Sequence, residues 1–267
     1  MIRLIFSDMD GTLLDDRGHL PAEFGQMYAR LRAHGILFAP ASGRQYASLV
    51  ETFAPWKDEM IFLAENGTLV MEGGRELFAA PVDPALGLRV MQTGEALTGV
   101  YSVYCGKKQG YIHRADDVPA FRAELEKYVT KSMVTEDFAA VDDVPIKMAF
   151  FDPSGHADTT ILPVMEQYAD RMQVTLSSAL WVDVYAQGVS KGVAAARVQE
   201  HLGLTPDECA AFGDYGNDLE LMDAVTYSFA MANAIPAVQE RARYRAPSNG
   251  EHGVMAVCER ILAGEFD

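Results

Sequence analysis

Short apolar runs broken by polar turns fill the first eighty residues, and their spacing alternates between strand and helix. Leu4-Ile5-Phe6 reads as a short buried strand. Glu23–His34 has helical character and stops at Gly35, Ile36–Ala39 returns to a strand, Gln45 to about Phe53 to a helix, and Met60–Ala64 to a strand. This β-α-β-α-β order predicts a parallel sheet with helices on its faces. Glu65-Asn66-Gly67 then reads as a tight turn, with Thr68–Met71 and Glu76–Phe78 pairing as a small hairpin.

The pattern changes at Pro81–Pro84. Beyond it come a helix to about Ala96, short strands at Val100–Cys105 and Gly110–His113, and a helix near Ala120–Tyr128. Further strands are expected at Ile146–Phe151, Met172–Leu176 and Trp181–Val184, with a helix near Leu162–Arg171. Helices mixed with hairpin-like strands describe an α+β module. Gly188 reads as a hinge, after which the alternation resumes: helix Lys191–Leu202 ended by Gly203, strand Glu208–Phe212, helix Leu219–Ala224, strand Tyr227–Ala230 and helix Gly253–Leu262. The expected architecture is α/β: a doubly wound, Rossmann-like parallel-sheet core from residues 1–83 and 188–267, interrupted by an α+β cap at 84–187.

Composition narrows the chemistry. The 267 residues suit about two domains on a prior of roughly 150 residues each. With 49% hydrophobic and 22% charged residues, the balance is that of a globular protein. A formal charge of −16 argues against nucleic acid or an acidic membrane surface as a partner, and any phosphate site must make its own local positive potential. Cys105, Cys209 and Cys258 are far apart and without zinc spacing, which suits free thiols in a reducing cytoplasm. The few apolar residues before Asp8 are too short for a signal-peptide core, and no stretch approaches a membrane span.

The candidate chemistry sits where the strands end. Asp8-Met9-Asp10-Gly11-Thr12 follows the first strand directly, and ligands of open α/β sheets bind outside strand C-termini. Two acids one residue apart repel unless a cation sits between them, and a hard ion such as Mg²⁺ takes oxygen ligands. The bland alternative is an acidic turn capping a helix through Thr12 or Asp15. Ser42-Gly43 offers a hydroxyl and a free backbone N–H for a phosphate oxygen, or a plain helix cap. Lys191 opens a helix, where the dipole disfavours a cation, although a surface lysine explains it equally well. Gly213-Asp214-Tyr215-Gly216-Asn217-Asp218 clusters two acids and an amide after a strand, as a metal site or a polar turn. Arg44 is open between a substrate contact and a surface ion pair. The six histidines lack ligand spacing, and the 13 methionines are scattered as core filling.

In order, Asp8-x-Asp10-Gly11-Thr12-Leu13-Leu14, Ser42-Gly43-Arg44, Ser190-Lys191-Gly192 and Gly213-Asp214-x-x-Asn217-Asp218 resemble the four motifs of the haloacid dehalogenase superfamily. Asn66-Gly67, Ala232-Asn233-Ala234 and Asn249–Gly253 resemble its Cof-type branch, which carries an inserted α/β cap (subclass IIB). The resemblance implies a phosphatase with Asp8 as nucleophile and Asp10 as general acid and base. It places Met9, Ser42, Gly43, Lys191 and Asn217 at the phosphate, with Ser42 and Lys191 also in the catalytic set. It gives Mg²⁺ the ligands Asp8, Asp10 (through its backbone carbonyl), Asp214 and Asp218. The expected substrate is a small phosphate ester, first of all a sugar phosphate, selected by the cap with Tyr104, Lys107, His113, Arg114, Lys147, Trp181 and Tyr185 as candidates. A sugar phosphomutase and a phospho-acceptor regulator are the alternatives. A P-loop hydrolase is disfavoured because no G-x-x-x-x-G-K-[ST] occurs. The oligomeric state is not readable from the chain.

Overall fold

The computed structural model describes residues 1–266. The chain starts with β1 (Leu4–Ser7), α1 (Phe24–Ala33), β2 (Leu37–Pro40), α2 (Tyr46–Thr52) and β3 (Ile61–Ala64). The hairpin β4 (Leu69–Glu72) and β5 (Arg75–Ala79) follows. Next come α3 (Pro84–Glu95), β6 (Tyr101–Gly106), β7 (Gly110–His113), α4 (Pro119–Leu125), β8 (Ser132–Thr135) and β9 (Pro145–Phe151). The short helices α5 (Ala157–Thr160) and α6 (Leu162–Met165) lead to β10 (Met172–Leu176) and β11 (Trp181–Ala186). The last part holds α7 (Lys191–Leu202), β12 (Cys209–Gly213), α8 (Leu219–Asp223), β13 (Tyr227–Met231), α9 (Pro236–Arg241), β14 (Tyr244–Ala246) and α10 (Gly253–Leu262).

Five strands form a parallel sheet in the order β14-β13-β12-β1-β2. β1 lies inside it between β12 and β2, and Leu4, Ile5 and Phe6 are wholly buried, as expected of a strand covered on both faces. α1 packs against α10, and α7 against α8. The order reverses between β1 and its neighbours: chain connections leave toward β2 on one side and β12 on the other. That is the crevice where open α/β sheets place ligands.

β3 departs from the expected parallel run. It joins β2 only through a parallel bridge between Ala41 and Leu63, and its full pairing is antiparallel with β4. Leu69 follows Ala64 so closely that a hairpin closes locally before the strand can complete a ladder with β2. β8, β14, α5 and α9 were not read from the sequence. β8 and β14 are edge strands, short and without a clear apolar alternation. The helix expected over 162–171 ends at Met165 and tightens into a 3₁₀ turn at Glu166–Tyr168.

The segment after Pro84 builds a second sheet, β10-β11-β9-β6-β7-β8. Alternation divides its residues between two faces. Tyr104, Met148, Phe150, Val182 and Val184 point to one face and pack with Val90 and Met91 of α3. Val103, Cys105, Ala149, Phe151 and Trp181 point to the other, where Phe121 and Leu125 of α4 cover part of it. The uncovered part of that second face looks toward the C-terminal ends of β1, β2 and β12.

Candidate active site

The Asp8 amide donates to the Phe212 carbonyl at 3.0 Å, which fixes the first carboxylate at the seam of β1 and β12. The chain then turns at Gly11 (φ +76°), where an added Cβ would lie 2.4 Å from Asp214 Oδ2. Only glycine lets these two loops close on each other. The Thr12 hydroxyl ties them by donating to Asp214 Oδ1 at 2.8 Å.

Lys191 is the first residue of α7 and is completely buried. Its ammonium donates to Asp8 Oδ1 at 2.6 Å and to Asp218 Oδ1 at 2.7 Å. Two carboxylates therefore offset both its desolvation and its poor position against the helix dipole. The second oxygen of Asp218 accepts from the backbone N–H groups of Asp214 (3.0 Å) and Tyr215 (3.2 Å). The second oxygen of Asp8 meets no hydrogen-bond donor among the described residues.

Asp8, Asp214 and Asp218 each bring an oxygen within 4.8 Å of the others. One ammonium against three carboxylates leaves the cluster short of positive charge. Burial, and then repulsion from Asp218, push the Asp214 carboxyl up to about 7. Burial also raises Asp8 well above the carboxylate range; Lys191 pulls it down, and Asp218, Asp214 and Asp10 push it back up. A hard divalent cation with oxygen ligands relieves that excess, so this donor set fits Mg²⁺.

Asp10 points elsewhere. Arg44 Nε donates to its Oδ2 at 2.8 Å and Arg44 Nη2 to its Oδ1 at 2.6 Å, a two-point grip. The ion pair left open by the sequence is thus internal, with the Arg44 side chain only 10% exposed. Ser42 is fixed by its amide, which donates to Leu63 O (2.8 Å), and its hydroxyl accepts from Arg44 N at 3.1 Å. It precedes α2 by a short loop instead of opening the helix directly. Gly43 faces Asn66, whose Oδ1 accepts from Asn217 Nδ2 at 3.0 Å. The Met9 side chain is in the core, leaving only its backbone to the loop.

Asp8, Asp10, Ser42, Gly43, Arg44, Asp214 and Asn217 line one cleft. Lys191 and Asp218 lie buried beside it, against Asp8. The second sheet supplies the opposite wall: Val103, Cys105, Lys147, Ala149, Trp181 and Asp183, with Tyr128 and Val129 at the side. Of the cap candidates, only Lys147 and Trp181 are among the lining residues. Tyr104 points to the other sheet face, Tyr185 packs with Ala80 and Val189, and Lys107 pairs with Glu76. Arg114 pairs with Glu136 in the open, and His113 bonds the Glu136 carbonyl.

Lys147 is buried and reaches across, donating to Gly43 O at 2.8 Å and pairing with Glu65 Oε2 at 2.7 Å. Asp183 Oδ2 accepts from Asn66 Nδ2 and from the Ser177 hydroxyl, both at 2.6 Å. Glu65, Asp183 and Tyr128 were missed in the sequence. Glu65 and Asp183 carried one usable signal, since a charged residue inside an apolar strand or turn asks for a buried partner.

The comparisons with known proteins agree with this geometry. A family model of haloacid dehalogenase-like hydrolases matches residues 5–257. The 5-amino-6-(5-phospho-D-ribitylamino)uracil phosphatase YbjI of Escherichia coli (strain K12) is 31% identical over 271 residues, 99% of this chain and 97% of its own. The crystal structure of SMU.1108c from Streptococcus mutans UA159 superposes with a TM-score of 0.90 at 26% identity, covering 98% of this chain and 100% of that one. The subclass IIB sugar phosphatase BT4131 shares the fold with a TM-score of 0.82 at 18% identity, covering 97% and 98%. The chain thus belongs to the haloacid dehalogenase-like hydrolases, in the Cof-type branch with an inserted cap, and is a phosphoric monoester hydrolase.

Proposed function

We propose that the chain is a Mg²⁺-dependent phosphatase that hydrolyses small phosphate monoesters through an aspartyl-phosphate on Asp8. The observation that carries this reading is the contrast between the two carboxylates of the first loop. Asp8 is buried against an ammonium and keeps one oxygen free of donors, while Asp10 stands part-exposed in the cleft, oriented by a guanidinium.

In the first step the free oxygen of Asp8 attacks phosphorus, the bond from phosphorus to the leaving oxygen breaks, and Asp10 gives that oxygen a proton. In the second, a water oxygen attacks the same phosphorus, Asp10 takes the water proton, and the bond to Asp8 breaks to release inorganic phosphate. Lys191, Ser42, the Gly43 amide and Asn217 hold phosphoryl charge, which is most of what phosphoryl transfer requires. Asp8, Asp214 and the Asp10 carbonyl would hold Mg²⁺, while Asp218, named as a ligand from the sequence, has both oxygens taken by Lys191 and by the Asp214 and Tyr215 amides and would orient the site instead; the ion would neutralise charge on the phosphoryl group. We place the substrate-selecting unit at residues 84–187.

The resemblance favours a sugar phosphate as substrate. A second reading, an alcohol leaving group that carries a flat heteroaromatic ring, is favoured by the apolar wall of Val103, Val129, Ala149 and Trp181 and by the ribitylamino-uracil compound named for the Escherichia coli relative. The test is phosphate release with Mg²⁺ and then EDTA over sugar phosphates, nucleotides, pyridoxal phosphate and flavin mononucleotide, run in ¹⁸O-water. Metal-dependent release with label in the phosphate is expected. Isomerised sugar without label would make the chain a mutase, and a stable phospho-Asp8 without turnover would make it a regulator. Asp8→Asn is expected to abolish turnover with a near-native circular dichroism spectrum, whereas Asp10→Asn is expected to keep metal affinity and slow the reaction by about 10²–10⁴-fold.

A further inference from the structure

The reading above gives Asp10 two proton transfers and has Arg44 only orient it, without saying what holds Arg44 in place, and the inference drawn here rests on that reading. Arg44 occupies both oxygens of Asp10 and is itself covered by the Tyr128 ring, 5.5 Å from the guanidinium carbon. Tyr128 follows α4, in the unit opposite the catalytic loops. The flanking residues are held from the same side. Gly43 O accepts from Lys147, the Gln45 amide donates to Tyr128 O at 2.8 Å, and the Gln45 side chain bonds Lys131 N and O, each at 3.0 Å. Three consecutive residues of the loop after β2 are therefore gripped by the cap.

We propose that Arg44 is a positioning residue that makes the alignment of Asp10 conditional on a docked cap, with Tyr128 as the cap's side of the coupling. A guanidinium fork fixes the plane of a carboxylate as well as its place, which a lysine ammonium does not. The Tyr128 face fixes the guanidinium in turn. A role in direct substrate binding suits Arg44 less, because its Nε and Nη2 are committed to Asp10 and its face to Tyr128. When the cap lifts, Tyr128, Gln45's partners and the Lys147 tether leave together, and Asp10 loses its fixed orientation.

The test uses p-nitrophenyl phosphate with Mg²⁺, followed in steady state and by stopped flow. Nitrophenolate leaves without a proton, so a misaligned Asp10 slows only the second step on this substrate. Arg44→Lys is expected to lower kcat by about 10- to 100-fold and KM in the same proportion, leaving kcat/KM within about twofold of wild type, because only the second step is slowed. It is also expected to show a burst of nitrophenolate close to one equivalent per active site. Tyr128→Leu is expected to lose kcat in the same direction and Tyr128→Phe to stay near wild type. The Arg44→Lys/Tyr128→Leu double variant is expected to be no slower than Arg44→Lys, because the two residues act as one unit. If Arg44→Lys does not fold, the two Tyr128 variants carry the burst and KM comparison alone.

A raised KM with unchanged kcat would make Arg44 a substrate ligand and overturn the proposal. So would a fall in rate without a burst, or losses that multiply in the double variant. Wild-type protein that releases no nitrophenolate and no phosphate from any ester of the panel above would instead remove the Mg²⁺-dependent phosphatase reading, and the coupling with it.

Discussion

At the level of single residues, the active loop was readable because its chemistry has few alternatives. Two carboxylates one residue apart at a strand end, then a glycine, need a cation and a tight turn, and both needs are visible in the letters Asp8 to Gly11. What the letters hid was which partner each acid would take. Asp10 is paired with Arg44, a residue that sequence reading left undecided, and no spacing rule connects positions 34 apart in the chain. Some residues outside the site make equally sharp statements. Glu208 accepts from the Thr205 amide and hydroxyl and from Arg3, and the Thr205 amide and then Arg3 hold its carboxyl down at about 2. Its contribution to stability is therefore present above the ordinary glutamate range and is lost as pH falls toward 2. The melting temperature of Glu208→Gln is expected to lie below wild type at pH 7 and to converge with it near pH 2.

At the level of elements, pattern and packing give opposite advice about α3. Both Gly87 and Gly94 lie within it, and glycine inside a helix costs roughly 0.5–1 kcal/mol relative to alanine. An added Cβ at Gly87 would meet Met148 Sδ at 3.5 Å, an ordinary contact. At Gly94 it would fall 2.0 Å from the ring of Phe150. Gly87→Ala is thus expected to stabilise by about 0.5–1 kcal/mol, and Gly94→Ala to destabilise by about 1–3 kcal/mol through overpacking, both read by urea denaturation. The same contrast explains what was legible. α7 came through with its boundaries because the Ser190 cap, its periodicity and the Gly203 stop agree, and α10 and β10 matched their expected bounds as well. β3 matched its expected bounds to within one residue, but its pairing was not legible, because its own residues specify a strand while its neighbours decide which sheet it joins.

At the level of the whole molecule, the two sheets meet across a buried polar network centred on Lys147. Glu65, Gly43 and Asp183 surround its ammonium, and burial works against a charge that Asp183 and then Glu65 hold in place, far above the ordinary lysine value. Lys147→Met would leave Glu65 and Asp183 facing each other in a dry interface. A loss of about 3–5 kcal/mol is expected in urea unfolding, partly recovered by adding Glu65→Gln. That such a network exists was not legible, because Gly43 and Glu65 lie on loops after β2 and β3, while Lys147 and Asp183 lie on adjacent strands of the other sheet, far away in the chain.

The thiols give this interface a chemical clock. Cys209 lies in β12 and Cys258 in α10, both inside the packed core, whereas Cys105 lines the cleft between the two sheets and is sealed by their contact. Burial holds the Cys105 thiol well above its usual range, so it reacts slowly until the wall moves away. Under native conditions an alkylating reagent is therefore expected to mark Cys105 before the other two. Its rate would count separations of the two sheets in the intact protein, and a bound phosphate ester that holds them together would slow it.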